Sequence, residues 1–375
     1  MMKSADSLSS VAAGAPQHPA SRMAPPFLDT ADGMAGALPL LAPHARIAVD
    51  TEADSLHCYF EKLCLIQVSV PGYDCLIDPL AGFPLQPLFD ACAGKEIILH
   101  GADYDLRLMR RVGYAGPARV FDTMIGARLC GIPEFSLAAL INKYFDVQVT
   151  KASQKANWAR RPLSPQMADY AVNDTRYLHR IAEIIEAELR RLERWEWFEQ
   201  SCERAIAASA IIKERDPEQA WRITGSNELR GRASAVLRAL WQWREDEAAR
   251  VDKPTFHILH NEQLVNAAAR FDQGSDVNFD HLQGSRRRRF FLAAETSLAL
   301  SESEWPQIIR KPRIRSSREE EARFHALKKK RDTVAAELKL DPSLIAPKSM
   351  LENLANNFDE TAARMMPWQR ERLGV

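Results

Sequence analysis

The chain lacks net charge, long apolar runs and paired cysteines, and each absence narrows what it can be. Its 375 residues carry 50 basic and 50 acidic side chains, so bulk charge does not make it a generic polyanion binder. Nowhere do as many as about eighteen apolar residues run together, which excludes a membrane-spanning helix of ordinary composition. Residues 1–24 are rich in Ser, Ala and Pro, with Lys3 and Arg22 the only basic side chains. They lack the apolar core of a signal peptide and are expected to be a disordered tail. The six cysteines (Cys58, Cys64, Cys75, Cys92, Cys130, Cys202) form no Cys-x-x-Cys pair, and no histidines stand at zinc spacing. They sit in apolar patterns as small buried hydrophobes, and reduced thiols suit a soluble, cytoplasmic protein. No Gly-x-x-x-x-Gly-Lys phosphate loop occurs, which argues against helicase chemistry.

What is there is a set of acids placed where secondary structure would aim them together. Asp50 and Glu52 lie in Ile47-Ala48-Val49-Asp50-Thr51-Glu52, a strand-type run whose period of two puts both on one face. Asp105 follows the apolar run Glu96-Ile97-Ile98-Leu99, where a buried strand hands over to a helix. Tyr170 and Asp174 are four apart on a helix and share a face. Carboxylates delivered by three separate elements are what a pair of hard divalent cations requires. Taken singly, each acid reads as a cap or a solvated charge; it is the combination that carries the signal. Asp103 competes with Asp105 for the same role, while Asp122 before Thr123 reads as an N-cap.

A chain of this length holds two or three domains. Residues 25–195 alternate strand and helix. Strands are expected at 46–51, 62–70, 73–78 and 96–99, the first three as an antiparallel meander. Helices are expected at 103–112, ended by Gly113, and at 123–130, ended by Gly131. Another runs from the Ser136 cap to about Phe145, and a long one opens at Ser164-Pro165. From Trp195 onward strand signals vanish. A helical linker (196–220) leads to a helical module at 221–303, with a helix over 232–250, an extended connection at 253–259, a helix capped by Asn261 and a final pair around 279–300. Residues 304–375 read as a basic linker and a partial second copy, in which Ala326–Glu337 answers Leu237–Glu245 and Leu344–Leu351 answers Phe256–Leu264.

The acids and their flanking residues resemble the DEDD exonuclease superfamily in its tyrosine-bearing branch, and the wider match is to the bacterial ribonuclease D family. Lys62-Leu63-Cys64-Leu65-Ile66-Gln67 is similar to the family's second strand, and Phe121-Asp122-Thr123 to the start of the helix after its second motif. Gln154, Trp158 and Arg161-Pro162-Leu163 are similar to the segment before its last motif. In the histidine branch a His stands five residues before the last acid; here that position is Asp169. The resemblance implies a ribonuclease H-like α/β fold, a mixed five-stranded sheet with flanking helices, followed by all-α HRDC modules. It implies a metal-dependent 3′→5′ exoribonuclease that trims tRNA precursors and other structured RNAs, with two Mg²⁺ or Mn²⁺ ions held by Asp50, Glu52, Asp105 and Asp174, and Tyr170 orienting the attacking water. Where the family carries an aromatic residue after the first glutamate, this chain has Ala53, which bears on the terminal-nucleotide pocket.

Further substrate contacts are expected at His100, Lys151, Gln154, Trp158 and Arg161. Lys151 to Arg161 has four basic residues and no acid, so it reads as backbone contact, with Trp158 as either a stacking ring or a core residue. From Gly284 to Arg331 fourteen Lys or Arg face six Glu, an excess that is either solvated surface or a phosphate-tracking face. A DNA exonuclease and an inactive RNA-binding protein are the alternative readings, the latter disfavoured by the intact set of acids. A monomer is the expected state.

Overall fold

The computed structural model describes residues 24–150, 152–211, 216–307 and 317–375. The expected tail up to Met23 and the run Arg310–Arg315 lie outside them. Two compact units result. The first holds the described residues up to Ala53, Leu63–Ile211 and those from 317 onward; the second holds Asp54–Lys62 and the described residues of 212–314.

The first unit opens with β1 (Phe27–Leu28), α1 (Ala31–Leu41), β2 (Arg46–Ala53), β3 (Leu63–Val70) and β4 (Tyr73–Ile77). Next come α2 (Gln86–Cys92), β5 (Glu96–Leu99), α3 (Asp103–Arg111), β6 (Arg119–Asp122), α4 (Thr123–Leu129) and α5 (Leu137–Phe145). The long helix expected from Ser164 breaks at Tyr177 into α6 (Pro165–Arg176) and α7 (Leu178–Arg191), followed by α8 (Trp195–Ser209). The sheet has six strands in the order β1-β4-β3-β2-β5-β6, not the five that the resemblance implied. β2, β3 and β4 form the antiparallel meander, while β1, β5 and β6 join in parallel. β1 has only two residues, too few to show any period, and β6 is four residues that the sequence reading did not assign to a strand.

β3 is buried at every position, as expected of a strand covered on both faces. On one face Ile47, Val49, Ile66 and Val68 pack against α1, α2 and α3. On the other, Ala48, Ile98 and Phe121 pack against α4, α7 and α8. The N-termini are set by side chains: Ser136 accepts from Ala139 N, and Ser164 accepts from Met167 N with Pro165 at the first position, which leaves fewer backbone donors unpaired.

The second unit contains α9 (Pro217–Ala220), α10 (Gly231–Val251), α11 (Thr255–Ile258), α12 (Asn261–Asp272) and α13 (Gly284–Leu298). The connection expected to be extended holds the short helix α11. His260, not Asn261, is the N-cap of α12, and the single helix α13 replaces the expected final pair. Trp243 is a core residue, edge-on to Phe290 at 4.9 Å.

The remaining helices are α14 (Arg318–Leu338), α15 (Pro342–Ile345), α16 (Lys348–Asn356), α17 (Phe358–Ala363) and α18 (Pro367–Leu373). They repeat the order of α10–α12 at an offset of 87 residues. Arg244 donates to Leu259 O and Arg331 to Ala346 O, each at 3.0 Å. Both 21-residue helices end in a left-handed cap, Asp252 and Lys339. Leu264 and Leu351 are fully buried in the two copies. For the long helices this register is two residues away from the pairing that starts at Ala326 and Leu237, while Leu351 answers Leu264 as the sequence suggested. The C-terminal copy belongs to the first unit rather than standing as a separate module: Trp368 stacks on Trp197 at 5.0 Å, and Arg194 donates to Leu129 O at 2.6 Å and Leu338 O at 2.7 Å.

Because Trp368 is 2% exposed, Trp368→Ala is expected to destabilise the first unit by about 3–5 kcal/mol, read as a lowered urea midpoint. An unchanged midpoint would show that α18 is not part of that core. A chain ending near Arg215 would strip the same surface from α8, so it is expected to aggregate rather than persist as a free-standing unit.

Candidate active site

Alternation along β2 places Asp50 and Glu52 on the face toward α6 and turns Thr51 away from it. α6 is fixed over that face by two polar contacts to the meander. Ser69 Oγ meets Thr175 Oγ1 at 2.7 Å, and Arg176 Nε meets Asp74 at 2.8 Å. The result is that carboxylate oxygens of Asp50, Glu52 and Asp174 lie within 4.8 Å of one another. Tyr170, one turn before Asp174, hydrogen-bonds its carboxylate.

Asp105 arrives from the first turn of α3. It is 6% exposed and accepts a 2.5 Å hydrogen bond from Thr51 Oγ1, so the threonine between the two β2 acids ties the third element to them. The turn into α3 is held by Asp122, which is 2% exposed. Its carboxylate accepts from Gly101 N at 3.0 Å and Ala102 N at 2.9 Å, and from Met124 N at 2.9 Å and Ile125 N at 3.1 Å. Asp122 is thus the N-cap expected of it, and it also clamps a second helix start. Gly101 has φ +88°, a conformation that a side chain would strain.

These acids have no basic partner: among the described residues none of the four forms an ion pair. Burial, then the charges of Asp105, Asp174 and Glu52, hold the Asp50 carboxyl well above the usual carboxylate range. Burial and then Asp174 and Asp105 push Glu52 up to about 9. Asp174 rises to about 7, through burial opposed by the Tyr170 hydrogen bond, and Asp105 to about 6, through burial opposed by Thr51. The Tyr170 phenol is raised by burial and by the neighbouring carboxylates. Several buried carboxylates without a cation cannot all ionise cheaply. A hard divalent ion with oxygen preference relieves that repulsion, and the donor set fits one.

The other expected contacts separate. His100 is half-buried at the end of β5, with Nδ1 2.9 Å from Thr123 Oγ1. Thr123 Oγ1 donates its own proton to Leu99 O, so Nδ1 is the donor and Nε2 is left as an acceptor. Burial lowers the His100 pKa, which keeps the ring neutral near pH 7. Gln154 is exposed, and Lys151 lies outside the described residues. Trp158 is not a stacking platform: it is 1% exposed, packed with Cys64, Leu65, Leu76, Ala171 and Val172. Its ring lies 6.0 Å from that of Tyr170, which it supports from behind. Arg161 is likewise structural, donating to Asp78 at 2.5 and 2.6 Å and to Cys64 O at 2.7 Å. Asp103 is exposed and pairs with Arg107 one turn on, while the N-cap position is Ala102; Asp103 is neither cap nor site residue.

The run Arg286–Arg289 is not four free charges. Arg286 and Arg289, together with Arg250, surround Glu247, which is 1% exposed on its side chain, and Arg287 donates to Asn278. Lys328, Lys329 and Lys330 are exposed on α14. Sequence reasoning missed Thr51 as the link to Asp105. The signal available was a hydroxyl between two acids of period two.

The 3′-5′ exonuclease family model matches residues 26–190, and the HRDC domain model matches residues 233–276. The ribonuclease D of Zymomonas mobilis is 33% identical over 277 residues, 70% of each chain. That of Jannaschia sp. is 32% identical over 252 residues, so this chain spans 65% of that relative's length. The crystal structure of Escherichia coli RNase D, described as an exoribonuclease involved in structured RNA processing, superposes with TM-score 0.68 at 25% identity over 92% of each chain. A Bifidobacterium adolescentis protein shares the fold, with TM-score 0.79 and 23% identity, over 93% of this chain and 95% of that one.

The carboxylate cluster predicts a definite dependence of stability on pH. Each of these acids has a folded pKa raised above its unfolded value, 3.8 for Asp and 4.5 for Glu. Between those values and the raised ones the folded state binds more protons, so its stability falls as pH rises. Without divalent metal, Asp174→Asn is therefore expected to gain on the wild type as pH rises from about 4 to about 7, by more than about 1 kcal/mol. Urea denaturation in EDTA across that range measures it, and parallel curves would show that the acids are not coupled.

Proposed function

This chain belongs to the ribonuclease D family, and on that premise we propose that it is a metal-dependent 3′→5′ exoribonuclease releasing 5′-mononucleotides. The observation that carries the reading is the convergence of Asp50, Glu52 and Asp174 within 4.8 Å, with Asp105 locked beside them by Thr51. Two divalent cations, Mg²⁺ or Mn²⁺, held by these four carboxylates would lower the pKa of a water and offset charge developing on the phosphate. The remaining work belongs to the chain. Tyr170 has a phenol raised above its ordinary value, so at neutral pH it stays protonated and orients the attacking water as a hydrogen-bonding group, not as a base. Ordering by Trp158 behind its ring limits the rotamers that the phenol can adopt.

RNA is the proposed substrate, with the 3′ ends of structured RNAs such as tRNA precursors as targets. The support is the likeness to ribonuclease D relatives and to the E. coli exoribonuclease. The residues matched by the HRDC domain, 233–276, are proposed as an auxiliary RNA contact, as is the exposed run Lys328–Lys330. Residues 317–375, which repeat the helix order of that module, are proposed as a second HRDC-like copy. Among the described residues no helix is long and apolar enough to cross a membrane. The six free thiols suit the cytoplasmic location we propose.

Incubation with 3′- and 5′-labelled RNA and DNA, in Mg²⁺, Mn²⁺ or EDTA, tests the reading. Stepwise loss from the 3′ end of RNA, abolished by EDTA, is expected; equal or faster attack on DNA would overturn the choice of substrate. Asp50→Asn and Asp105→Asn are expected to abolish turnover while RNA binding persists, and Asp103→Asn to be mild. Tyr170→Phe is expected to slow turnover about ten- to a hundred-fold, at the low end of what a proton-handling group contributes, with metal binding unchanged.

A further inference from the structure

Gln67 is a polar side chain at the centre of the sheet with no evident structural use. It is 0% exposed, and neither its amide nitrogen nor its amide oxygen has a hydrogen-bond partner among the described residues. Buried amides are nearly always paired, because an unpaired one loses its bonds to water without replacement. The other polar residue buried within β3, Ser69, has a partner in Thr175. The fold alone would be served by Leu or Met at position 67, as at its apolar neighbours on the strand.

The register shows what the amide faces. Gln67 lies directly opposite Asp50 on β2 and Leu76 on β4. Directly opposed residues of an antiparallel pair share a face, with Cβ atoms about 4.5–5.5 Å apart. The same face carries Leu65 and Ser69, two residues to either side. Above it lies α6: Thr175 is seated on Ser69, and one turn back Ala171 is fully buried in a cluster with Leu65. Leu65, Leu76 and Ala171 offer no side-chain hydrogen bond, and the Ser69 hydroxyl is engaged by Thr175. Among the described residues, the polar groups left on that side are the carboxylates of Asp50 and Asp174 and the Trp158 indole Nε1, itself buried without a partner; of these Asp50 is the one directly opposite Gln67.

We propose that Gln67 is a positioning residue for Asp50, its carboxamide donating to the Asp50 carboxylate when a divalent cation is held at the site. The inference rests on the metal-dependent reading of the site. A second-sphere donor of this kind fixes which oxygen of the carboxylate faces the ion and favours its charged form, as outer partners of metal ligands generally do. In the metal-free protein the amide is held ready at the expense of stability, which explains why a buried polar group stands unpartnered at this position.

The proposal is tested by titrating full-length wild type, Gln67→Met, Gln67→Asn and Asp50→Asn with Mn²⁺ in a calorimeter, without RNA, and by melting each in EDTA. Gln67→Met keeps the length of the side chain and removes the unpaired amide. It is expected to melt in EDTA at or above the wild-type temperature and to bind Mn²⁺ roughly 10–100-fold more weakly. Gln67→Asn, whose amide is withdrawn by one methylene, is expected to fall between. In the Asp50→Asn background, Gln67→Met is expected to add nothing. Mn²⁺ affinity of Gln67→Met within two-fold of wild type would overturn the proposal alone, as would a lower melting temperature in EDTA, because the amide would then already have a structural partner. Failure of the wild type to bind Mn²⁺ would overturn the metal-dependent reading and the proposal with it.

Discussion

Mutual repulsion among four carboxylates, Asp105 buried and the others half-buried, with no basic partner among the described residues, is the constraint on which the rest of the structure depends. Left to themselves, Asp50, Glu52, Asp105 and Asp174 would separate toward water or keep their protons. Burial first, then neighbouring carboxylates, raises Glu52 and Asp174, and burial raises Asp105. A site of this kind needs rigid elements behind each acid, and its strain is resolved by a cation rather than by neighbouring side chains.

The rigidity comes from contacts a few residues away from the acids. Asp122 gathers four backbone N–H groups and so fixes the entry to α3 and α4. Ser69 with Thr175, and Asp74 with Arg176, pin α6 to the meander. Trp158 and Arg161 fill and lock the segment that precedes α6. On the far side of the sheet's helical layer, the C-terminal helices cover Trp197 through Trp368. The segment at the end of the chain therefore contributes to the core on which α4, α7 and α8 rest.

The duplication of helix order between α10–α12 and α14–α16 shows one local design in two environments. The Arg244–Leu259 and Arg331–Ala346 bonds hold the same short connection in both copies. The first copy closes its own core around Trp243 and Phe290. The second has Lys330 where the first has Trp243, and its apolar face is completed by α8.

Short-range pattern was enough to single out the acids that the fold brings together. The period of two on β2, the four-residue spacing of Tyr170 and Asp174, and the strand-to-helix change before Asp105 are local properties, each visible in a few consecutive residues. The N-caps Ser136 and Ser164 are local too, and both were legible. What the sequence could not determine depends on partners far along the chain. Arg161 reads as a substrate contact and Trp158 as either a stacking ring or a core residue, and it is their distant neighbours, Asp78 and Cys64, that decide both. The Thr51–Asp105 bond joins residues 54 positions apart, and the isolation of Gln67 follows from what three different elements fail to offer it. The two-residue β1 exists because Leu76 and Ile77 present an edge for it to join. Side-chain type and spacing thus determined which residues could act together, while burial and long-range pairing decided which polar groups were consumed by structure and which remained for chemistry.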